Sequence, residues 1–379
     1  MQKDTLIFSS PNMGNYNKIL FMTLMEGLGL KYILPPSMTS DTVILGTKYC
    51  HELACQPLRT SLGDQIKAVR QGANAIMMSA GKDACRYQYY WSTQKKTLRE
   101  IFGKDIYFFV IKHWDVARSV KDFVREMELP VSETDVNILL ARINLKIDIY
   151  DAMSIIYQTI RIFNQKESKK LFDEYLLKLQ NTNGLSDLNK LFTQITERFM
   201  ALPKEDLSVP KLKIMLIGSV YELLEPIANN FIEDMLASMN AAAIPMLNYH
   251  ALAPFMFLDN PAGEFCRGFR PSNSEINNSL NSLMSSPSIL RNFGFGGFGA
   301  YNVGCAANAK QLGYHGVIHI YPFFCMPEII AKPFMRDICS NQGIPLLSIG
   351  TEESNANIGF RTKIEAFIDL IKWQKERKP

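Results

Sequence analysis

The chain has 379 residues, of which 47% are hydrophobic and 21% are charged, and its net charge is +4. This length exceeds one ordinary core and predicts two or three domains. The small net charge does not favour a nucleic-acid-binding protein, and no apolar run reaches the roughly 18 residues that a membrane helix requires. The N-terminal residues MQKDTLIFSS contain no apolar segment of signal-peptide length, so we expect a cytoplasmic protein with neither nucleic-acid nor membrane partners.

The first 115 residues alternate between predicted strands and predicted helices. Apolar runs typical of strands are DTLIFSS, KYILPP, DTVILG, NAIMMSA and DIYFFVI. Apolar residues at helical spacing occur in NYNKILFMTLMEGLGL, PLRTSLGDQIKAVRQGA and RYQYYWSTQKKTLREIFG. This alternation predicts an α/β lobe over residues 1–115.

Strand signals stop between residues 116 and 208, where two long amphipathic helices separated by NTNG are predicted. The α/β pattern returns over residues 209–379, with strands in LKIMLIGS, GVIHIYPF and PLLSIG. Helices are predicted in ELLEPIANNFIEDMLASMN, EIIAKPFMRDICSNQG and TKIEAFIDLIKWQKE, and the lysine-rich end WQKERKP is interpreted as a solvated helix terminus. The predicted fold is therefore α/β, with two Rossmann-like parallel-sheet lobes and a helical section between them.

Three of the seven cysteines occupy the same predicted position. Cys55, Cys85 and Cys325 each follow a predicted strand and precede a predicted helix. Open α/β sheets place their sites at the carboxyl ends of strands, and a helix N-terminus lowers the pKa of a thiol. Such thiols could bind a zinc ion or an iron–sulfur cluster, although the C-x2-C pair usual in zinc sites is absent. Three unrelated buried thiols remain the alternative.

Four segments carry a resemblance to a known family: KYCHELACQPLRTSLGDQIKAVRQGANAIMMSAG, ACRYQYYW, GYHGVIHIYPFFCMPEI and IGFRTKIEAFIDLI. They contain a cysteine–x–proline–x–basic element at Cys55–Arg59, a cysteine–arginine–aromatic run from Cys85, and Cys-Met-Pro-Glu at Cys325–Glu328. With these motifs the chain resembles the 2-hydroxyacyl-CoA dehydratase and benzoyl-CoA reductase family. The likeness is greatest to its dehydratase-activase-related branch, which includes double-cubane cluster proteins.

The resemblance implies an iron–sulfur cluster held between the two lobes, with low-potential electron transfer driven by a separate ATP-hydrolysing activator. It implies a lyase or an oxidoreductase, an acyl-CoA or other small-molecule substrate, and a homo- or heterodimer. A [4Fe-4S] cluster bound by Cys55, Cys85 and Cys325 is favoured. A double-cubane [8Fe-9S] cluster would add Cys50, Cys305 and a sixth thiol, either Cys266 or Cys339. The candidate catalytic residues are Arg59, Arg86 and Glu328.

Two segments depart from the family pattern: AGKDAC before the cysteine–arginine run, and IGTEES where the family often has an acidic cluster after the penultimate strand. These departures are compatible with an alternative function, a binding or assembly protein that has retained the fold and lost the chemistry.

The run Gly294–Gly299 matches G-x-G-x-x-G, but it follows a polar segment and is interpreted as a loop. His315 and His319 share one face of a strand and are interpreted as core or edge histidines.

Overall fold

The computed structural model describes residues 5–51, 53–81, 85–112, 115–203, 211–247, 298–351 and 357–376. Several positions raised by the sequence lie outside the described residues: Cys266, most of the glycine run 294–299, the centre of AGKDAC and the end of IGTEES. Among the described residues, no helix is long and apolar enough to cross a membrane.

The N-terminal lobe is built on a parallel sheet of four strands in the order β2-β1-β3-β4. The strands are β1 (Ile7–Ser9), β2 (Lys31–Tyr32), β3 (Ala75–Ala80) and β4 (Tyr107–Lys112). The helices are a π-helix (Asn17–Met22) continued by α1 (Thr23–Gly27), then α2 (Ser40–Thr47), α3 (Gln56–Arg70), and a 3-10 turn (Arg86–Tyr89) leading into α4 (Tyr90–Phe102). One face of the sheet packs against α3 and α4 through Ile76 and Met78.

The opposite face of this sheet packs against the helical section. Its helices are α5 (Val116–Glu126), α6 (Glu133–Ile160), α7 (Gln165–Asn181) and α8 (Leu185–Met200). Phe8 and Met77 of the sheet share one buried cluster with these helices. The break between α6 and α7 is stabilised by Asn164, whose side chain accepts from the Glu167 backbone N–H. The domain boundaries at 115 and 208 stay a prediction.

The C-terminal lobe repeats the architecture of the first. Its parallel sheet has the order β6-β5-β7-β8. The strands are β5 (Leu212–Gly218), β6 (Ala241–Pro245), β7 (Gly316–Pro322) and β8 (Leu346–Thr351). The helices are α9 (Val220–Leu224), α10 (Ile232–Ser238), α11 (Phe298–Asn308), α12 (Met326–Gln342) and α13 (Asn357–Glu376). In each sheet the first strand is flanked by the second and the third, which confirms the predicted α/β fold with two parallel-sheet lobes.

Some local predictions were wrong. DTVILG is not a strand but lies in α2, where the Thr39 backbone N–H donates to Thr42 Oγ1 at the helix start. A Cβ added at Gly46 would lie 1.7 Å from the Arg59 carbonyl oxygen, so the glycine lets α2 and α3 approach closely.

The helix predicted over ELLEPIANNFIEDMLASMN is two helices, because Pro226 lacks the amide hydrogen that a continuing helix needs. Strand β6, which is rich in alanine, had no strand signal.

Candidate functional site

Hydrogen bonds join the two lobes near the ends of their strands and the starts of the following helices. After β1, the Gly14 backbone N–H donates to Glu225 Oε2 over 3.3 Å. At the end of β8, Thr351 Oγ1 donates to Gln56 Oε1, at the start of α3, over 3.2 Å. In parallel sheets the crevice beyond the carboxyl ends, beside the point where the strand order reverses, is where ligands bind. The interface between the lobes therefore lies where an α/β fold places a site.

Cys55 is the residue immediately before α3, with Pro57 in the first turn of that helix. Its side chain is buried against Ala54, Leu58 and Tyr90. The Cys55 Sγ and the Tyr90 hydroxyl are 2.8 Å apart. Because DTVILG lies in α2, Cys55 follows a helix and not the predicted strand, while α3, which it precedes, leads into β3 and shares a buried cluster with it.

Cys85 follows β3 and directly precedes the 3-10 turn that leads into α4. The cysteine is half-buried, and the next residue, Arg86, is exposed. Arg86 Nη2 donates to the Phe324 carbonyl oxygen in the other lobe over 2.6 Å. The turn that carries Cys85 is thereby joined to the turn that carries the third cysteine.

Cys325 directly precedes α12, which has Pro327 in its first turn. Phe324 before it adopts a φ of 64°, a left-handed conformation that is uncommon for an aromatic residue. The Glu328 backbone N–H forms a hydrogen bond with the Cys325 thiol. A strained residue and a helix N-terminus thus set the position of this thiol.

The expectation that helix N-termini lower the thiol pKa values is wrong for two of these cysteines. Burial raises the pKa of Cys325, and the charges of Glu328, Cys85 and Glu222 raise it further. Burial also raises the pKa of Cys55, although the Tyr90 hydroxyl partly opposes this. The cost of burying a thiolate outweighs the partial charge at a helix end, so both thiols favour the neutral form. Cys85 and Cys325 are close enough for their charges to interact.

Among the described parts of the chain, no three histidine, cysteine or acidic side chains are grouped in a way that could hold a metal ion. Cys55, Cys85 and Cys325 border the same interface, but their sulfurs are not gathered into a preformed ligand set. The structure brings together the N-termini of the three helices that begin at these cysteines, but not the three sulfur atoms themselves.

The remaining described cysteines differ in their surroundings. Cys50 is half-buried and packs against the small cluster that contains Cys55. Cys305 was expected just before a helix, but it lies inside α11 and is fully buried, which raises the pKa of its thiol to about 12. Cys339 lies in α12 and shares a core cluster with Cys305. Only Cys50 among these three is packed beside a predicted ligand.

The candidate catalytic residues occupy distinct places. Arg59 lies half-buried in α3, with its carbonyl against Gly46. Arg86 spans the two lobes. Glu328 is fully buried in α12, where its Oε2 lies 2.8 Å from His319 Nε2 and accepts a hydrogen bond from Asn302 Nδ2 at the same distance.

This buried network crosses the sheet of the C-terminal lobe. His319 Nδ1 lies 3.2 Å from Ser348 Oγ on β8, and His319 is fully buried, which confirms its interpretation as a core histidine. Asn302 on α11 bonds both the N–H and the C=O of Gly218 at the end of β5. Glu328 therefore anchors the first turn of α12, and hence Cys325, to three strands.

Glu222 was not singled out from the sequence. It follows β5 at the same sheet edge, bonds the Ser219 hydroxyl, and is fully buried. Burial raises the pKa of its carboxyl to about 8, and Glu328 contributes in the same direction. Its charge also raises the pKa values of Cys55 and Cys325, so it lies near both thiols. Its place just after LKIMLIGS is a signal that could have identified it.

Comparison with protein families finds a match in the C-terminal part of the chain. Residues 305–371 match the family described as 2-hydroxyglutaryl-CoA dehydratase, D-component. The matched segment contains β7, Cys325, Glu328 and β8, and it ends within α13. A search of curated proteins finds no match to the chain. The match supports the resemblance to the 2-hydroxyacyl-CoA dehydratase family and covers the motifs at Cys325–Glu328 and in α13, whereas the motifs at Cys55 and Cys85 lie outside the matched residues.

Proposed function

We propose that the chain binds one [4Fe-4S] cluster through Cys55, Cys85 and Cys325 and performs dehydratase-type reductive chemistry. The observation that carries the proposal is that three helices begin at these cysteines where the two lobes meet. The Arg86–Phe324 hydrogen bond ties two of those helix starts together. When bound, such a cluster supplies one-electron transfer at low potential.

The chemistry of the donor groups fits a cluster whose iron–sulfide core is cationic. Buried thiols whose pKa values are raised become thiolates when a metal compensates their charge. Burial raises the pKa of the Cys55 thiol, and the guanidinium of Arg86 is among the groups that oppose this rise. The Tyr90 hydroxyl and the Glu328 backbone N–H lie against two of the sulfurs, and hydrogen bonds to sulfur tune cluster potentials.

The surroundings of the other thiols favour a single cubane over the double-cubane alternative. Cys305 and Cys339 pack with Met215 and Val317 in the core on one face of the C-terminal sheet. Neither lies at a helix start facing the interface. Three cysteines leave one coordination position that water, a substrate oxygen or a small ligand could take, and Cys50 packs beside Cys55 as the less favoured additional ligand.

The partners and the substrate follow from the family. A separate ATP-hydrolysing activator would deliver electrons, and an acyl-CoA is the proposed substrate. The enzyme would be a lyase or an oxidoreductase, working as a homo- or heterodimer in the cytoplasm. Adding a panel of acyl-CoAs to the reduced protein tests the substrate class. A change in the EPR signal with at least one thioester supports it, and no change with any of them contradicts it.

The proposal is tested by measuring iron and acid-labile sulfide per chain after anaerobic purification. We expect about four irons in the wild type and a large loss in Cys325→Ala. Cys339→Ala is the matched control, because it removes a buried thiol from the same helix without touching the interface. About eight irons would favour the double cubane. Negligible iron after reconstitution would overturn the redox function and leave a binding or assembly protein.

A further inference from the structure

A half-open cavity of about 120 Å³ lies at the amino edge of the C-terminal sheet, where β7 and β8 begin. The polar side chains that line it belong to Lys310, Tyr314, His315, Gln374 and Lys375, and no carboxylate is among its lining residues. Cys325 follows β7, so the cavity and the candidate cluster site lie at opposite ends of the same strand.

The hydrogen-bond roles at His315 leave two donors facing each other. His315 Nδ1 accepts from the Lys213 backbone N–H over 2.9 Å, so this nitrogen carries no hydrogen. The neutral ring therefore has its hydrogen on Nε2. Lys375 Nζ, which can only donate, lies 3.2 Å from that nitrogen. An acceptor that bridged the two would satisfy both.

Positively charged side chains are grouped around the cavity. Burial lowers the pKa of His315, and the charges of Lys375 and Lys213 lower it further. Lys310 lines the same cavity and donates to the Gln342 carbonyl over 2.6 Å. Lys213 Nζ lies 4.4 Å from the centre of the Tyr314 ring. Three lysines thus surround a half-buried histidine.

We propose that this cavity binds an oxyanion of the phosphate class, either free phosphate or a phosphomonoester. A single water molecule needs roughly 10–15 Å³ of such space, so the cavity has room for a tetrahedral anion. The anion would accept hydrogen bonds from His315 Nε2 and Lys375 Nζ, with Lys310 beside them. The site does not rest on the proposed cluster function, because it uses none of the same residues. The competing interpretation is a solvated, lysine-rich helix end.

Calorimetric titration of the full chain at constant ionic strength tests the proposal, with inorganic phosphate as the first probe and methyl phosphate as the second. We expect one saturable site, weakened about tenfold or more by Lys375→Gln and by His315→Gln. Lys372→Gln is the matched control. It removes the same charge from the same helix, but Lys372 pairs with Asp369 at 3.9 Å and does not line the cavity.

NMR titration of the His315 ring gives a second measurement. Bound phosphate should raise the pKa of His315, because an anion stabilises the imidazolium. Without phosphate, Lys375→Gln should also raise the pKa of His315, because the charge of Lys375 lowers that pKa in the wild type. Lys372→Gln should leave the pKa of His315 unchanged. Tighter binding of methyl phosphate than of phosphate would identify a phosphomonoester ligand, and the reverse would identify the free ion. Absence of saturable binding up to about 10 mM, or equal affinities in all variants, would overturn the proposal.

Discussion

Arg86 Nη2 donates to the carbonyl oxygen of Phe324, 238 positions away in sequence and in the opposite lobe. The donor follows Cys85, and the acceptor precedes Cys325. The contact therefore fixes the relative positions of two candidate ligands that belong to different sheets. It also occupies the carbonyl of a residue with a φ of 64°.

Replacing Arg86 by alanine should weaken the junction of the lobes. A partly exposed hydrogen bond from a charged donor contributes about 1 kcal/mol, so we expect a loss of that order in the free energy of unfolding. The anaerobic iron content should also fall, because two cysteine-bearing turns lose their link. Arg99→Ala, which removes an exposed arginine of the same lobe paired with Asp105, is the control. Urea unfolding and iron analysis should separate the two variants, and identical values would contradict the role of Arg86.

Removing the carboxyl of Glu328 should be costly for stability. Glu328→Ala leaves His319 and Asn302 without their buried hydrogen-bond partner, and each buried polar group left unsatisfied typically costs about 1–3 kcal/mol. Glu328→Gln retains an acceptor oxygen and should cost about 1–2 kcal/mol. Glu365→Ala, at a half-buried position whose side chain pairs with Arg361, is expected to change the free energy of unfolding by less than about 0.5 kcal/mol. If denaturant unfolding gives similar losses for all three, Glu328 does not anchor α12.

Adding a methyl group at Gly46 should separate α2 from α3. The new Cβ would overlap the Arg59 carbonyl, which is backbone and cannot move aside cheaply. We expect Gly46→Ala to lower the free energy of unfolding by about 1–3 kcal/mol and to disturb the loop that carries Cys50 and Cys55. Gly359→Ala, where no atom lies within 4 Å of an added Cβ, should be neutral or slightly stabilising in thermal unfolding. Equal melting temperatures for the two variants would refute the close approach.

Asp64 predicts a pH dependence of stability. It is fully buried, and burial raises its pKa from 3.8 to about 7, although hydrogen bonds from Asn12 oppose this. The unfolded chain loses this proton near pH 3.8 and the folded chain only near pH 7. The stability that this carboxyl contributes is therefore fully present below pH 3.8, and it is lost as the pH rises from there to about 7.

Asp64→Asn should remove that dependence. Relative to the variant, the wild type should lose on the order of 2–4 kcal/mol of unfolding free energy as pH rises from about 4 to about 7. Asp337→Asn, at an exposed site paired with Arg336, should follow the wild-type curve. The measurement is urea unfolding at several pH values. Parallel curves for the wild type and Asp64→Asn would show that Asp64 ionises normally.

The sequence by itself determined the features that depend on neighbouring residues. Apolar runs in the sequence correctly predicted most of the strands, and Pro57 and Pro327 indicated where α3 and α12 begin. The three cysteines therefore fell at helix starts, as predicted. The alternation of elements also determined the two parallel lobes, because parallel strands need a crossover between them.

Tertiary packing decided the rest. DTVILG lies in a helix that packs closely against α3, and Gly46 admits the α3 backbone, a contact that no local pattern encodes. Cys305 lies inside α11 because that helix already includes Phe298, seven residues before the cysteine. Near its start, Gly299 lies against the Pro327 carbonyl oxygen of α12. Glu328 faces the core because Asn302 and His319 come from other elements. Local periodicity fixes which residues form an element, whereas the partners of a side chain depend on surfaces brought together from distant parts of the chain.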